Sequence, residues 1–256
     1  MTRVSNLKGA LRGAFGAAAD VYHSAADVQR EVASRLARRI AALTLAPRPR
    51  VLEIGCGTGF LSQALAADLT GASWVLSDLS EAMVKRTRRG APVPQARYAV
   101  LDGEHPPFAD DSFDLICASL VFQWFEDLPA GLSKLTHLLA PGGALAFSTL
   151  TAESFPEWRE AHSQMGMRAA VRGYPTIREL ARMIPKSAYV DLEAEAVART
   201  YPSAHAFLAH WKEIGTHVPD TDRAPLTPGA MRKLLRTFER GITVTYHVAY
   251  GTVIKA

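Results

Sequence analysis

Val51-Leu52-Glu53-Ile54-Gly55-Cys56-Gly57-Thr58-Gly59 is an apolar, strand-like run that ends in glycines at alternate positions and leads into the helix-like stretch Phe60 to Asp68. No other feature constrains the chain as much. Alternate glycines let the backbone turn within a few residues and approach a ligand closely, and the helix that follows offers free N–H groups to an anion. The alternation continues, with apolar runs at Val51 to Ile54, Trp74 to Ser77, Tyr98 to Val100, Phe113 to Ala118 and Ala144 to Ser148. Pro92 and Pro94, Pro106 and Pro107, and Pro141-Gly142-Gly143 punctuate these runs. Repeated βαβ units of this kind predict an α/β fold with a mostly parallel sheet and helices on both faces.

Elements outside this core are also legible. Leu7 to Leu45 is Ala-rich, with Val28, Val32, Leu36, Ile40 and Leu43 at helical spacing, and reads as two helices. Thr151 to Ser187 carries Phe155, Trp158, Met165, Met167 and Tyr174 without a strand pattern and reads as a helical cap. Ala188 to Thr200 alternates, with Val190, Leu192, Ala194 and Ala196 on one side, as a sixth strand does. Ser203 caps one further helix, which Gly215 ends; Thr227-Pro228 opens another, which Gly241 closes; and Ile242 to Ile254 supplies a seventh strand. The expectation is a single domain over 1–256, with N-terminal helices at 7–45, a binding core at 50–150, a helical cap at 151–187 and a C-terminal part at 188–256.

Composition excludes several classes. The densest apolar run, Leu115 to Phe122, is far short of the roughly 20 residues that span a bilayer. The basic start has no apolar segment of a secretory signal behind it, so a cytoplasmic protein without a membrane partner is expected. Cys56 and Cys117 form no CxxC pair and the eight histidines are scattered, so neither a disulfide framework nor a metal site is expected. The net charge of +4 names no partner by itself, and the basic segments carry no recognised nucleic-acid motif.

Acidic residues sharpen the reading of the glycine turn, which alone would equally suit a dinucleotide or be a merely tight loop. Glu53 inside the first strand would repel a pyrophosphate and welcome an ammonium group, which points to the methionyl part of S-adenosylmethionine. Asp78 ends the second strand, where a carboxylate accepts from ribose hydroxyls, and Asp102 follows the third, placed for an adenine amino group. The expected cofactor site is therefore Glu53, Gly55, Cys56, Gly57, Asp78, Leu79, Asp102, Gly103 and Ser119, at the carboxyl edge where open α/β sheets bind ligands.

These features resemble the class I S-adenosylmethionine-dependent methyltransferases over residues 50 to 150. Phe108-Ala109-Asp110-Asp111-Ser112-Phe113-Asp114-Leu115 and Leu139-Ala140-Pro141-Gly142-Gly143 match two further stretches of that class. Phe15-Gly16-Ala17-Ala18-Ala19-Asp20-Val21-Tyr22, Ala26-Asp27-Val28-Gln29-Arg30 and Ser119-Leu120-Val121-Phe122-Gln123-Trp124 are similar to the malonyl-[acyl-carrier protein] O-methyltransferases of biotin synthesis, the BioC family. So are Ser154-Phe155-Pro156-Glu157, Lys212-Glu213-Ile214-Gly215 and Thr245-Tyr246-His247. One departure is Ser119, where that family usually has Asn; it leaves the backbone role of the turn intact and removes a side-chain amide.

The resemblance implies a Rossmann-like, seven-stranded, mostly parallel sheet and methyl transfer from S-adenosylmethionine to the free carboxylate of a malonyl thioester. The acceptor would be carried by malonyl-acyl-carrier protein or malonyl-CoA, with no metal. Such a carboxylate, with a pKa of roughly 4, is ionised at neutral pH, so alignment and exclusion of water matter more than a base. Tyr22 and Gln123 are the expected catalytic contacts. Trp124, with Arg168, Arg172 or Arg178, is expected at the substrate, the choice of arginine remaining open. The residues alone also allow a small-acid carboxyl methyltransferase, a quinone C-methyltransferase or a cofactor-binding assembly factor without catalysis. Basic clusters at Arg35, Arg38 and Arg39 and at Arg168, Arg172, Arg178, Arg182 and Lys186 read as solvated faces or as docking surfaces for an acidic carrier.

Overall fold

The computed structural model describes residues 4–169, 171–186, 188–216, 218, 226–238 and 240–256. Helices α1 (Val4–Ala25) and α2 (Asp27–Ala41) precede β1 (Arg50–Ile54), α3 (Phe60–Leu65), β2 (Ser73–Asp78), α4 (Glu81–Gly90) and β3 (Arg97–Val100). There follow β4 (Phe113–Ser119), a 3-10 turn at Phe122–Trp124, α5 (Leu128–Leu138), β5 (Leu139–Leu150), α6 (Pro156–Ser163) and α7 (Ile177–Met183). The chain closes with β6 (Ala188–Tyr201), α8 (Ala204–Glu213), α9 (Pro228–Arg236) and β7 (Ile242–Lys255). Helix α3 ends at Leu65, short of the expected Asp68, and the Asp68 and Leu69 amides both bond to the Leu65 carbonyl in the turn beyond it. Among the described residues no helix is long and apolar enough to cross a membrane.

The seven strands form one sheet in the order β3-β2-β1-β4-β5-β7-β6. Pairing is parallel from β3 to β5, and β7 enters antiparallel between β5 and β6. From β1 the chain runs outward to β3 and then returns to start β4 on the other side of β1. Loops leaving β1 and β4 therefore diverge and open a crevice at their carboxyl ends.

Both faces of the central strands are apolar, as strands covered on two sides require. Val51, Leu115 and Cys117 pack on one face against Val32, Leu36 and Ile40 of α2. Leu52, Ile54 and Ile116 pack on the other against Leu132, Leu135 and Leu138 of α5. Each such buried aliphatic side chain stabilises the fold by about 1.5–3 kcal/mol.

Strand β6 departs from the expected one-sided pattern. Val190 and Leu192 face the α5 and α7 side, whereas Val197 is buried on the opposite side and Ala194 and Ala196 are exposed. The covering helix changes along the strand, with α7 at its start and α8 on the later part. Within the segment 151–187, α6 packs on β7 and α7 on β6 and α5, while α1 lies over the crevice.

Candidate active site

The turn after β1 needs its glycines for two reasons. Gly55, Gly57 and Gly59 all have positive φ, at 67°, 53° and 90°. A Cβ at Gly55 would collide with the Val121 side chain, whereas the nearest atom to one at Gly57 would be Tyr22 Cε1 at 4.0 Å. Gly57 thus presents its open face to the crevice. Asp78 holds the turn: its Oδ2 accepts from the Gly57 amide at 2.9 Å and its Oδ1 from the Ser80 amide at 2.8 Å. Burial nonetheless raises its pKa to about 6, against the pull of those amides.

The crevice is a cavity of about 750 Å³, counting its open mouth. Asp102 and Gly103 form one wall, and a Cβ at Gly103 would strike the Ile54 side chain. Glu104 sits beside them and accepts from the Glu126 and Asp127 amides at 2.9 and 2.8 Å. Ser119, Leu120 and Val121 form the opposite wall, with Leu120 at φ 54°. Ser148 Oγ accepts from the Leu120 amide at 3.1 Å and lies 3.2 Å from Ser119 Oγ. The Ser119 hydroxyl therefore supports the turn from behind.

Helix α1 roofs the cavity with one stripe of side chains, Lys8, Leu11, Phe15 and Tyr22. Steps of three, four and seven residues keep them on one helix face. Phe15 meets Trp124 edge to face, with centroids 5.6 Å apart, and stands 6.3 Å from Tyr22. Tyr22 lies over the glycine turn, where burial and the Asp78 carboxylate push its phenol far above the usual range, so it stays protonated. Outside Trp124, the Arg172 guanidinium sits 5.7 Å from the indole centroid.

Of the residues singled out in the sequence, the cavity brings together Tyr22, Gly55, Gly57, Asp78, Leu79, Asp102, Gly103, Ser119 and Trp124. Other expected contacts lie off the cavity wall. Glu53 is 1% exposed, on the strand face opposite cavity-lining Ile54, so it sits beneath the turn with Oε2 unpartnered. Burial lifts its pKa to about 8, with Ser62 pulling it down and Asp78 adding to the rise. Cys56 is buried, and burial holds its thiol well above the usual value. Gln123 turns back to the Leu120 carbonyl at 2.7 Å and accepts from the Thr149 hydroxyl at 3.3 Å, so it braces the wall and does not line it. Arg168 and Arg178 are exposed, and of the three arginines Arg172 alone reaches a cavity residue.

Sequence reasoning missed Lys8, Phe15 and Glu104 as cavity residues. The helical spacing of Lys8, Leu11, Phe15 and Tyr22 carried the signal for the first two. Glu104 offered none, because its partners are backbone amides brought from α5's approach.

A sheet ordered β3-β2-β1-β4-β5-β7-β6 with β7 reversed, and a cavity across the carboxyl ends of β1, β2, β3 and β4, define the class I methyltransferase fold. A methyltransferase-domain family matches residues 52–147. A malonyl-[acyl-carrier protein] O-methyltransferase of Magnetococcus marinus is 40% identical over 96% of this chain and 92% of its own length. The biotin biosynthesis bifunctional protein BioCD of Bordetella avium is 46% identical over 93% of this chain, which spans 50% of that longer protein. The chain belongs to the malonyl-[acyl-carrier protein] O-methyltransferase family. Among solved structures, phosphoethanolamine N-methyltransferase 2 of Haemonchus contortus in complex with S-adenosyl-L-methionine has the same fold, with a TM-score of 0.55 at 17% identity over 87% of this chain and 52% of that one.

Proposed function

We propose that this chain transfers the methyl group of S-adenosylmethionine to the free carboxylate of a malonyl thioester on acyl-carrier protein. One observation carries the reading. A single cavity joins Gly57, Asp78, Asp102 and Gly103 to Tyr22, Phe15 and Trp124. The residues present fit the cofactor: the open face of Gly57 is a cradle that any Cβ would fill, and the Asp78 and Asp102 carboxylates line the same cavity. Asp78 suits the ribose hydroxyls, Asp102 the adenine amino group, and Gly55 and Gly57 the methionyl end. The bound cofactor supplies an electrophilic methyl on a sulfonium.

The chain's own groups supply alignment and dryness. Phe15, Leu120, Val121 and Trp124 exclude water that would otherwise solvate the attacking oxygen. The protonated Tyr22 phenol orients the carboxylate through one hydrogen bond. Arg172, over the outer face of Trp124, meets the anionic substrate at the mouth. The acidic carrier is favoured over CoA because Arg168, Arg178, Arg182 and Lys186 are exposed along the segment that brings Arg172 to the mouth. Buried free thiols at Cys56 and Cys117 suit a reducing cytoplasmic setting.

The test is incubation with methyl-labelled cofactor and malonyl-carrier protein, malonyl-CoA, aconitate or no acceptor. Label should enter malonyl-carrier protein, and added salt should slow that reaction more than the CoA reaction. Label in aconitate and in neither thioester would overturn the assignment.

A further inference from the structure

Among the described residues that line the cavity, Lys8 is the one cation. Its ammonium is paired with Asp102 and stands 2.6 Å from Glu104 Oε2. The side chains are well covered, Lys8 at 17% exposure and Glu104 at 4%. Both acids are fixed from behind. Asp102 Oδ1 accepts from the Glu104 amide at 3.0 Å, and Glu104 Oε1 accepts from the Glu126 and Asp127 amides just before α5. The ammonium therefore grips a rigid wall, and it grips it from α1, whose next polar tie here is Arg12 Nε to the Leu79 carbonyl at 3.3 Å.

Tyr22 lies 14 residues further along the same stripe, which on a helix is about 21 Å. Phe15 lies between them. A helix of this length transmits a shift at one end to the other nearly undiminished, and apolar contacts such as Leu11 and Phe15 define its depth more than its register. Charge pairing to two fixed carboxylates supplies the register at the Lys8 end, and His23 Nδ1, 3.2 Å from Thr58 Oγ1, adds one tie at the Tyr22 end.

We infer that Lys8 is a positioning residue: clamped between Asp102 and Glu104 at one end of the cavity, it sets where Phe15 and Tyr22 stand at the other. The inference rests on the proposed methyl transfer only for what happens at that far end. Without the ammonium, Glu104 and Asp102 face each other as two like charges, and α1 loses its anchor at the wall.

Lys8→Met, Lys8→Arg and Glu104→Gln test this through hydrogen exchange of α1 and through kinetics with malonyl-carrier protein. Lys8→Met should speed exchange of the α1 amides by about tenfold while β4 and β5 stay protected. It should also lower kcat by about tenfold with KM changed less than about threefold, because reacting groups are misplaced and the carrier contacts are not. Lys8→Arg should restore both, and Glu104→Gln should reproduce the exchange effect in part. Unchanged α1 exchange in Lys8→Met, or tighter cofactor binding because the ammonium merely obstructs Asp102, would overturn the inference. Should Lys8→Met lose protection throughout the sheet, Glu104→Gln decides by the same α1 exchange. The exchange arm needs no acceptor, so a wild-type enzyme that fails to methylate malonyl-carrier protein would defeat the proposed activity and leave the anchoring of α1 to be judged separately.

Discussion

The side-chain amide of Gln123 donates to the carbonyl of Leu120 at 2.7 Å, and Leu120 holds a φ of 54° that leucine rarely adopts. Such a conformation costs of order 1–3 kcal/mol and persists only where surrounding bonds impose it. Here the Gln123 amide and the Ser148 hydroxyl impose it from two sides.

Gln123→Ala removes one of those supports without touching the cavity. The wall at Ser119 to Val121 should relax, lowering kcat by about tenfold while thermal stability falls by no more than about 1–2 kcal/mol. Steady-state kinetics beside a thermal melt checks this. Equal losses in melting temperature and no change in kcat would make Gln123 a packing residue.

Tyr22→Phe keeps the ring against Phe15 and Phe60, each with centroids 6.3 Å away, and deletes only the hydroxyl. Turnover should drop by about tenfold with cofactor affinity within about twofold, since the proposed reading has this hydroxyl donate one charge-assisted hydrogen bond to the reacting carboxylate. Calorimetric titration of the cofactor and a single-turnover rate separate the two effects; an unchanged rate removes the hydroxyl from the reaction.

Glu53 gives the fold a pH dependence whose sign is set by burial. Its pKa rises from 4.5 to about 8 on folding. Below the unfolded value both states are protonated and the contribution is fully present. As pH climbs towards about 8 the unfolded chain releases the proton and the folded one retains it, so stability declines across that window, by an amount on the order of a few kcal/mol at most. Asp78, raised from 3.8 to about 6, adds a decline of the same sign over a narrower and more acidic window. Melting temperatures of Glu53→Gln should fall less steeply than wild type between those limits, and parallel curves would contradict the burial account.

Glu195 receives both Arg35 and Arg39, while Glu31 receives Arg35 and Arg199, so α2 is laced to β6. Two of the three arginines in the first basic cluster are therefore committed inside the molecule. Glu195→Gln should destabilise the fold by about 1 kcal/mol at low salt, less at high salt, with activity unchanged. Denaturant melts at two ionic strengths would show it. Because its arginine partners hold Glu195 below its usual pKa despite partial burial, the wild-type advantage should be present at neutral pH and disappear on acidification.

Arg172→Met keeps an unbranched stem near Trp124 and removes the charge over the indole, a contact of about 0.5–2 kcal/mol. KM for malonyl-carrier protein should rise several-fold while kcat changes less. Arg178→Met, at an exposed position of α7, serves as the comparison and should have the smaller effect.

Much of this protein was legible in local sequence. The central strands, the glycine turn and the acids Asp78 and Asp102 follow from alternation and turn chemistry within a few residues, and the turn and both acids fall at one sheet edge once the strands are parallel. Glu53 was half legible. Its charge suited an ammonium group, but the period of two that buries it opposite Ile54 was present in the same strand and argued against direct exposure to the cavity.

Sequence by itself determined the class of fold and the floor of the site, because backbone periodicity and glycine conformations are local properties. Tertiary structure decided that α1 roofs the cavity, that α6 and α7 pack beside the far strands, that Gln123 braces and does not line the wall, and that Arg172 reaches Trp124. Lys8 and Glu104 are separated by 96 positions, and Phe15 and Trp124 by 109. Such pairs meet only after the sheet has chosen its strand order and each helix its apolar bed, since burial of Leu11 and its neighbours brings α1 onto the cavity where the charge pair can then hold it.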